Sequence, residues 1–169
     1  MKVVASIAIA IAGYIHIYLA PQHYAHAPAH GIFFAVAGLA EIAWAVGFLR
    51  WPSRPFYYAG LAMAGGLVAL WVVTRYLPAP FGHEVGAIDA GGIASKLGEM
   101  VGILALVALA TQGRILGLAK QSFGRLLATA VLLGAAAGVV TYGVSRAVEP
   151  LFPFLAEAEN GEPAHEHGE

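Results

Sequence analysis

Five stretches of this chain stay apolar for close to the ~20 residues that an α-helix needs to cross a bilayer. They cover 3–20, 31–49, 56–74, 93–110 and 126–144. Backbone N–H and C=O groups in hydrocarbon must find partners within their own segment, so each run is predicted to be a helix. The expected fold class is therefore all-α, an integral membrane bundle of about five transmembrane helices. With 59% hydrophobic and 11% charged residues, the chain carries more apolar surface than a soluble core of 169 residues would use. Residues 1–146 read as the five-helix domain and 147–169 as an acidic, His-containing tail. The opening MKVVASIAIAIAGY is built like a secretory signal, but it lacks a small-x-small cleavage site and stays apolar to Ala20. It reads as a retained helix.

Five crossings put the termini on opposite sides. Pro28 suits the first turn of the second helix, where its missing N–H costs nothing, and Pro52 with Pro55 punctuates a tight turn between spans two and three. With the N-terminus cytoplasmic, Lys2, Arg50, Arg54, Arg114, Lys120 and Arg125 lie inside, against Arg75, Lys96 and Arg146 outside. The positive-inside rule then predicts a multi-pass protein of the plasma (inner) membrane, N-terminus cytoplasmic and C-terminus extracytoplasmic. The segment TQGRILGLAKQSFGRLL between spans four and five is a positive-inside loop, with an interfacial helix as the alternative.

All seven histidines, His16, His23, His26, His30, His83, His165 and His167, fall at or beyond span ends on the extracytoplasmic side. Imidazole ligates metals and titrates near neutrality, so this asymmetry points to a metal, haem or proton-handling site on that side. The densest chemistry is HIYLAPQHYAHAPAH. There His16 is expected one turn inside the first helix end, His23 and His26 in the connection, and His30 at the start of the second helix. These four, with Asp89 or Glu99 as carboxylates, are the candidate ligands for zinc, Cu(II) or iron. The alternative for each is an interfacial histidine paired with water and headgroups.

Glu41, in the middle of span two, is expected to face the bundle, because a charge at mid-bilayer costs at least ~2.5–3.5 kcal/mol. It lies 11 residues after His30, about 16 Å along the axis, so the two mark one polar track rather than one metal site. Glu99 follows Lys96 by three residues and forms an i,i+3 ion pair with it, unless Lys96 snorkels outward and frees Glu99 to turn toward His16. Arg75 is a buried polar candidate, a partner for Glu99 or Asp89. Gly98 with Gly102, Gly134 with Gly138, and the pair Gly65 and Gly66 are expected to let helices approach closely within the bundle. Trp44, Trp51, Trp71, Tyr57, Tyr58 and Tyr76 serve as interfacial anchors or filling, LFPFL rests at the interface, and AEAENGEPAHEHGE reads as a mobile acidic tail whose His165 and His167 collect divalent ions weakly.

The stretch TRYLPAPFGHEVGAIDAGGIASKLGEMVGILAL, together with HIYLAPQHYA, resembles runs in small multi-spanning prokaryotic membrane proteins that are largely uncharacterised. The resemblance covers roughly residues 10–110 and brings no activity with it.

The absence of cysteine excludes disulfides, iron–sulfur clusters and thiolate ligands. With only Met1, Met63 and Met100, a thioether ladder for Cu(I) is not expected. A net charge of −1 without a basic stripe argues against a nucleic-acid partner. No nucleophile motif or phosphate loop is present, which leans the reading away from an enzyme. The leading expectation is an extracytoplasmic His/carboxylate site holding a transition-metal ion, for metal handling or supply to a membrane-complex partner. A haem- or quinone-associated redox subunit and a non-catalytic accessory subunit of a larger complex are the alternatives.

Overall fold

The computed structural model describes residues 1–82, 88–112 and 122–156. It is all-helical among these residues, and five of its helices are long and apolar enough to cross a membrane. They are α1 (Lys2–His26), α2 (Pro28–Arg50), α3 (Arg54–Val73), α4 (Ala90–Thr111) and α5 (Phe123–Val148). Two short 3-10 turns, Glu149–Leu151 and Pro153–Leu155, follow α5. His83, most of the segment between α4 and α5 proposed as loop or interfacial helix, and His165 and His167 in the tail lie outside the described residues.

The first helix is longer than the apolar run predicts. It continues through Pro21 to His26, because a proline in a long apolar helix is tolerated where neighbours and water take up the freed carbonyl. The connection to α2 is a single extended residue, Ala27, and Pro28 occupies the first turn of α2 as its fixed φ favours. At the far end of this hairpin the Lys2 ammonium donates to the Leu49 carbonyl at 3.1 Å, which places a cation on the C-terminal end of α2.

Packing pairs α1 with α2 and α4, and α3 with α5. Small residues set these distances, and the expected glycines act within the chain. A Cβ on Gly134 would sit 2.7 Å from the backbone of Gly65, and one on Gly102 would sit 2.5 Å from Ile9. Such approaches replace a hydrophobic driving force that lipid does not supply. The core is richest away from the histidine end, where Ile9, Trp44, Phe48, Tyr57, Leu61, Leu106 and Leu109 are buried together. Trp44 stacks on Phe48, with centroids 4.9 Å apart, and its indole N–H donates to the Phe56 carbonyl at 2.7 Å. Trp44 and Tyr57 are thus filling, while Trp51 and Tyr76 are exposed. The LFPFL segment is folded into the two turns, and Leu155 reaches the wall of a cavity between the helices.

Candidate functional site

The α1/α2 hairpin and α4 bring three ionisable side chains to one buried point. A hydrogen bond of 2.7 Å joins His16 Nδ1 to Glu41 Oε2, and His16 Nε2 lies 3.7 Å from Glu99 Oε1. Both carboxylates are fully buried, and His16 is 3% exposed. One ligand atom from each residue can be chosen so that all lie within 4.8 Å of one another. The Lys96 ammonium donates to the same oxygen, Glu99 Oε1, closing a His, Glu, Glu, Lys quartet.

Local sequence explains why these groups meet. His16 and Glu41 each follow a glycine by three residues, and the two glycines touch. A Cβ on Gly13 would lie 2.7 Å from the Gly38 carbonyl oxygen, and a Cβ on Gly38 would lie 2.4 Å from that of Gly13. With no side chains between them the two backbones come together one turn before each ionisable group, on facing sides. Glu99 enters from the third side because its neighbour Gly98 packs on the Ala8 carbonyl and Ala12 of α1.

The structure brings His16 and Glu99 together, as proposed from sequence, and adds Glu41, whose spacing from His30 predicts a separate polar track. Glu41 does face the bundle. His16, however, is not one turn from the helix end: ten residues separate it from His26, about 15 Å of helix. The remaining candidates are placed elsewhere. His23 packs edge-on against Phe34, with centroids 3.9 Å apart, and Phe34 also meets His16 edge-on at 5.3 Å, so this ring stands between the two imidazoles. His26 is exposed, and His30 Nε2 is hydrogen-bonded to the Pro80 carbonyl at 2.7 Å. Asp89 caps α4, accepting the Gly92 N–H at 2.7 Å, as a carboxylate at a helix N-terminus should. Lys96 does not snorkel outward. It is 8% exposed and turned inward, so it drops out of the external positive charges counted for topology.

Above the quartet opens a cavity of about 720 Å³, with His16 and Lys96 on its floor. His23, His26 and His30 border it toward the end where α1 turns into α2, so the four histidines of the hairpin share one cavity without sharing one centre. Phe33, Phe34, Phe81 and Trp71 supply aromatic wall. Phe81 is buried at φ 63°, a left-handed conformation that costs a non-glycine residue about 1–3 kcal/mol and is held here beside the His30 bond to Pro80. Arg75 lies over the Trp71 ring, 4.8 Å from its centroid. Burial pushes the Arg75 guanidinium pKa down, and the nearby Asp89 carboxylate pulls it back up.

Two oxygens of the quartet, Glu41 Oε1 and Glu99 Oε2, are buried with no hydrogen-bond partner among the described residues. An unsatisfied buried acceptor forfeits about 1–3 kcal/mol, and more when it is charged. These oxygens are therefore where a proton, a water molecule or a cation is stabilised most. Sequence reasoning overlooked the meeting of His16 with Glu41, although the paired Gly-x-x-His and Gly-x-x-Glu spacings in adjacent spans were a usable signal. No family model, curated protein or solved structure matches the chain.

Proposed function

We propose that this chain is an inner-membrane protein that binds a divalent transition-metal ion, zinc, Cu(II) or iron, at His16, Glu41 and Glu99, for metal handling or supply to a partner. The observation that carries this reading is the pair of orphan carboxylate oxygens beside a buried imidazole, within the 4.8 Å cluster. Imidazole plus two carboxylates is an established donor set for such ions. Ligands around a tetrahedral zinc at 2.0–2.2 Å stand about 3.4 Å apart, so the separations in the cluster wider than this, which reach at most 4.8 Å, close on binding. The ion's positive charge also offsets the cost of holding two carboxylates deep in the bilayer. The orientation proposed from the charged loops puts the cavity mouth on the extracytoplasmic side. The partial resemblance of residues 10–110 to small prokaryotic membrane proteins is compatible with this role and adds no activity to it.

The contact of Lys96 with Glu99 favours a second reading. An internal ammonium already occupies one carboxylate oxygen, as it would in a site that passes protons among His16, Glu41 and Glu99 without any metal. Elemental analysis of gently purified protein separates the two. Near-stoichiometric metal that is lost in His16→Ala and kept in the exposed His26→Ala supports the metal site. Metal-free wild type, or equal metal content in wild type and His16→Ala, rejects it. A Soret band in the same preparation would instead support the haem-associated alternative, and stoichiometric co-purification of larger chains without metal would support the accessory-subunit one.

A further inference from the structure

Helices α2 and α3 follow one another in the chain, yet α2 packs far less on α3 than on α1. What joins them lies near their turn: the Trp44 indole donates to the Phe56 carbonyl, Gly60 packs on the Trp44 ring, and a Cβ on Gly47 would stand 2.6 Å from the Phe56 ring. Further from the turn a groove of about 300 Å³ separates the two helices, with α5 as its third wall. Its lining holds no charged side chain, and Ala37, Ala62, Gly66 and Ala137 are too small to fill it. Val36, Ala40 and Thr141 at its edges are exposed, so the groove opens on the outer surface of a bundle whose helices suit hydrocarbon. Phe33, Val36, Leu67 and Leu70 border both this groove and the cavity above the carboxylate cluster. The two spaces meet at these four apolar side chains, two from each helix and none of them buried, so joining them takes a change of rotamer rather than a separation of helices.

We propose that this groove is a side window to the bilayer, and that one acyl chain of a membrane phospholipid lies in it and passes between Phe33 and Leu70 into the cavity. An empty apolar groove forfeits the dispersion contacts of its lining, and the bilayer core holds no water to fill it. A polar headgroup does not fit the lining, because Thr141 carries its only side-chain hydrogen-bonding group. A helix of a second copy, about 10 Å across with its side chains, is too wide for a space of this volume. A single hydrocarbon chain meets both limits and is the molecule that surrounds the bundle. The window gives membrane-dissolved molecules a route to the cavity and does not depend on metal in the cluster below.

The test places a reporter indole inside the cavity and bromine on the lipid chain. Phe34 lines the cavity but not the groove and packs between His16 and His23, so Phe34→Trp, made with Trp51→Phe and Trp71→Phe, reads what enters. The full chain is held in discs containing phosphatidylcholine brominated near the chain end, which quenches indole at contact, and the signal of buried Trp44 is subtracted using the same protein with Phe34 retained. If Phe34→Trp does not fold, native Trp71, read against Trp71→Phe, is the reporter, since it also lines the cavity. The expected result is quenching of the reporter that falls at least about twofold in Ala40→Phe or Ala62→Phe, which put a ring into the groove from opposite walls. Leu39→Phe, on the exposed face beside the groove, should leave it unchanged. A reporter that brominated chains do not quench, quenching that persists in full in both groove variants, or an equal fall in Leu39→Phe would each overturn the proposal.

Discussion

Replacing Gly38 by alanine tests whether the geometry of the carboxylate cluster is set by the helix contact beneath it. The added methyl would stand 2.4 Å from the Gly13 carbonyl oxygen, 2.7 Å from Ile17 Cγ1 and 3.1 Å from His16 Cβ. Ordinary contact begins near 3.4 Å, and two of these three atoms belong to backbone or to a β-carbon that moves with it. Side-chain adjustment cannot absorb the clash, so α1 and α2 must separate locally by about 1 Å. The His16 to Glu41 hydrogen bond of 2.7 Å would then stretch to about 3.7 Å, past the limit for a hydrogen bond. Overpacking of this kind costs about 1–3 kcal/mol, and the better helix propensity of alanine returns up to ~1 kcal/mol. The net expectation is a loss of up to about 2 kcal/mol, together with metal affinity 10–100-fold lower, the usual consequence of disturbing the support of a ligand. Thermal unfolding in detergent, followed by circular dichroism, measures the first; competition with a chromophoric chelator measures the second. Gly143→Ala, where a Cβ meets nothing within 4 Å, is the control and should be neutral or slightly stabilising. If Gly38→Ala melts and binds metal as the wild type does, close approach at Gly13 and Gly38 is not what holds the pair together.

Lys96→Met removes the cation that competes for Glu99, so metal affinity should rise about tenfold while the metal-free protein loses several kcal/mol for an uncompensated buried carboxylate; chelator competition and unfolding run on the same sample read both. Glu41→Gln keeps the volume but weakens the cluster as an anion, and should lower metal content while leaving helicity intact, by elemental analysis and circular dichroism. Trp44→Phe deletes the donor to the Phe56 carbonyl and should cost about 1 kcal/mol in unfolding without touching metal content, since Trp44 packs in the core at the other end of the bundle. A cysteine introduced at Ala164 should react with an impermeant thiol reagent added from outside intact cells; labelling only after lysis would reverse the proposed orientation.

The five helices were readable because apolar length is a direct physical requirement of crossing hydrocarbon, and so was the inward orientation of Glu41, which follows from the cost of a carboxylate in lipid. The depth of His16 was not. Taking Ala20 as the helix end assumes that Pro21 stops α1, a rule that holds in water but relaxes in an apolar bundle, and the error moves His16 by about two turns. Once Ala27 is known to be the pivot, His16 lies 11 residues before it and Glu41 14 after it, so their similar depth follows from counting. The inward turn of Lys96 was hidden for another reason. An i,i+3 pair near a helix end looks the same in sequence whether it faces headgroups or the bundle, and only the packing of Gly98 on α1 decides it.

The one-residue joint at Ala27 has a mechanical consequence. Two helices joined so tightly at one end, touching backbone to backbone at Gly13 and Gly38, and latched by Lys2 at the other end, cannot slide past one another. They form a stiff jaw that carries His16 and Glu41 as a fixed pair. In the proposed metal site, any closing of the cluster around a cation would therefore be made by α4, the helix that carries both Glu99 and its competing Lys96.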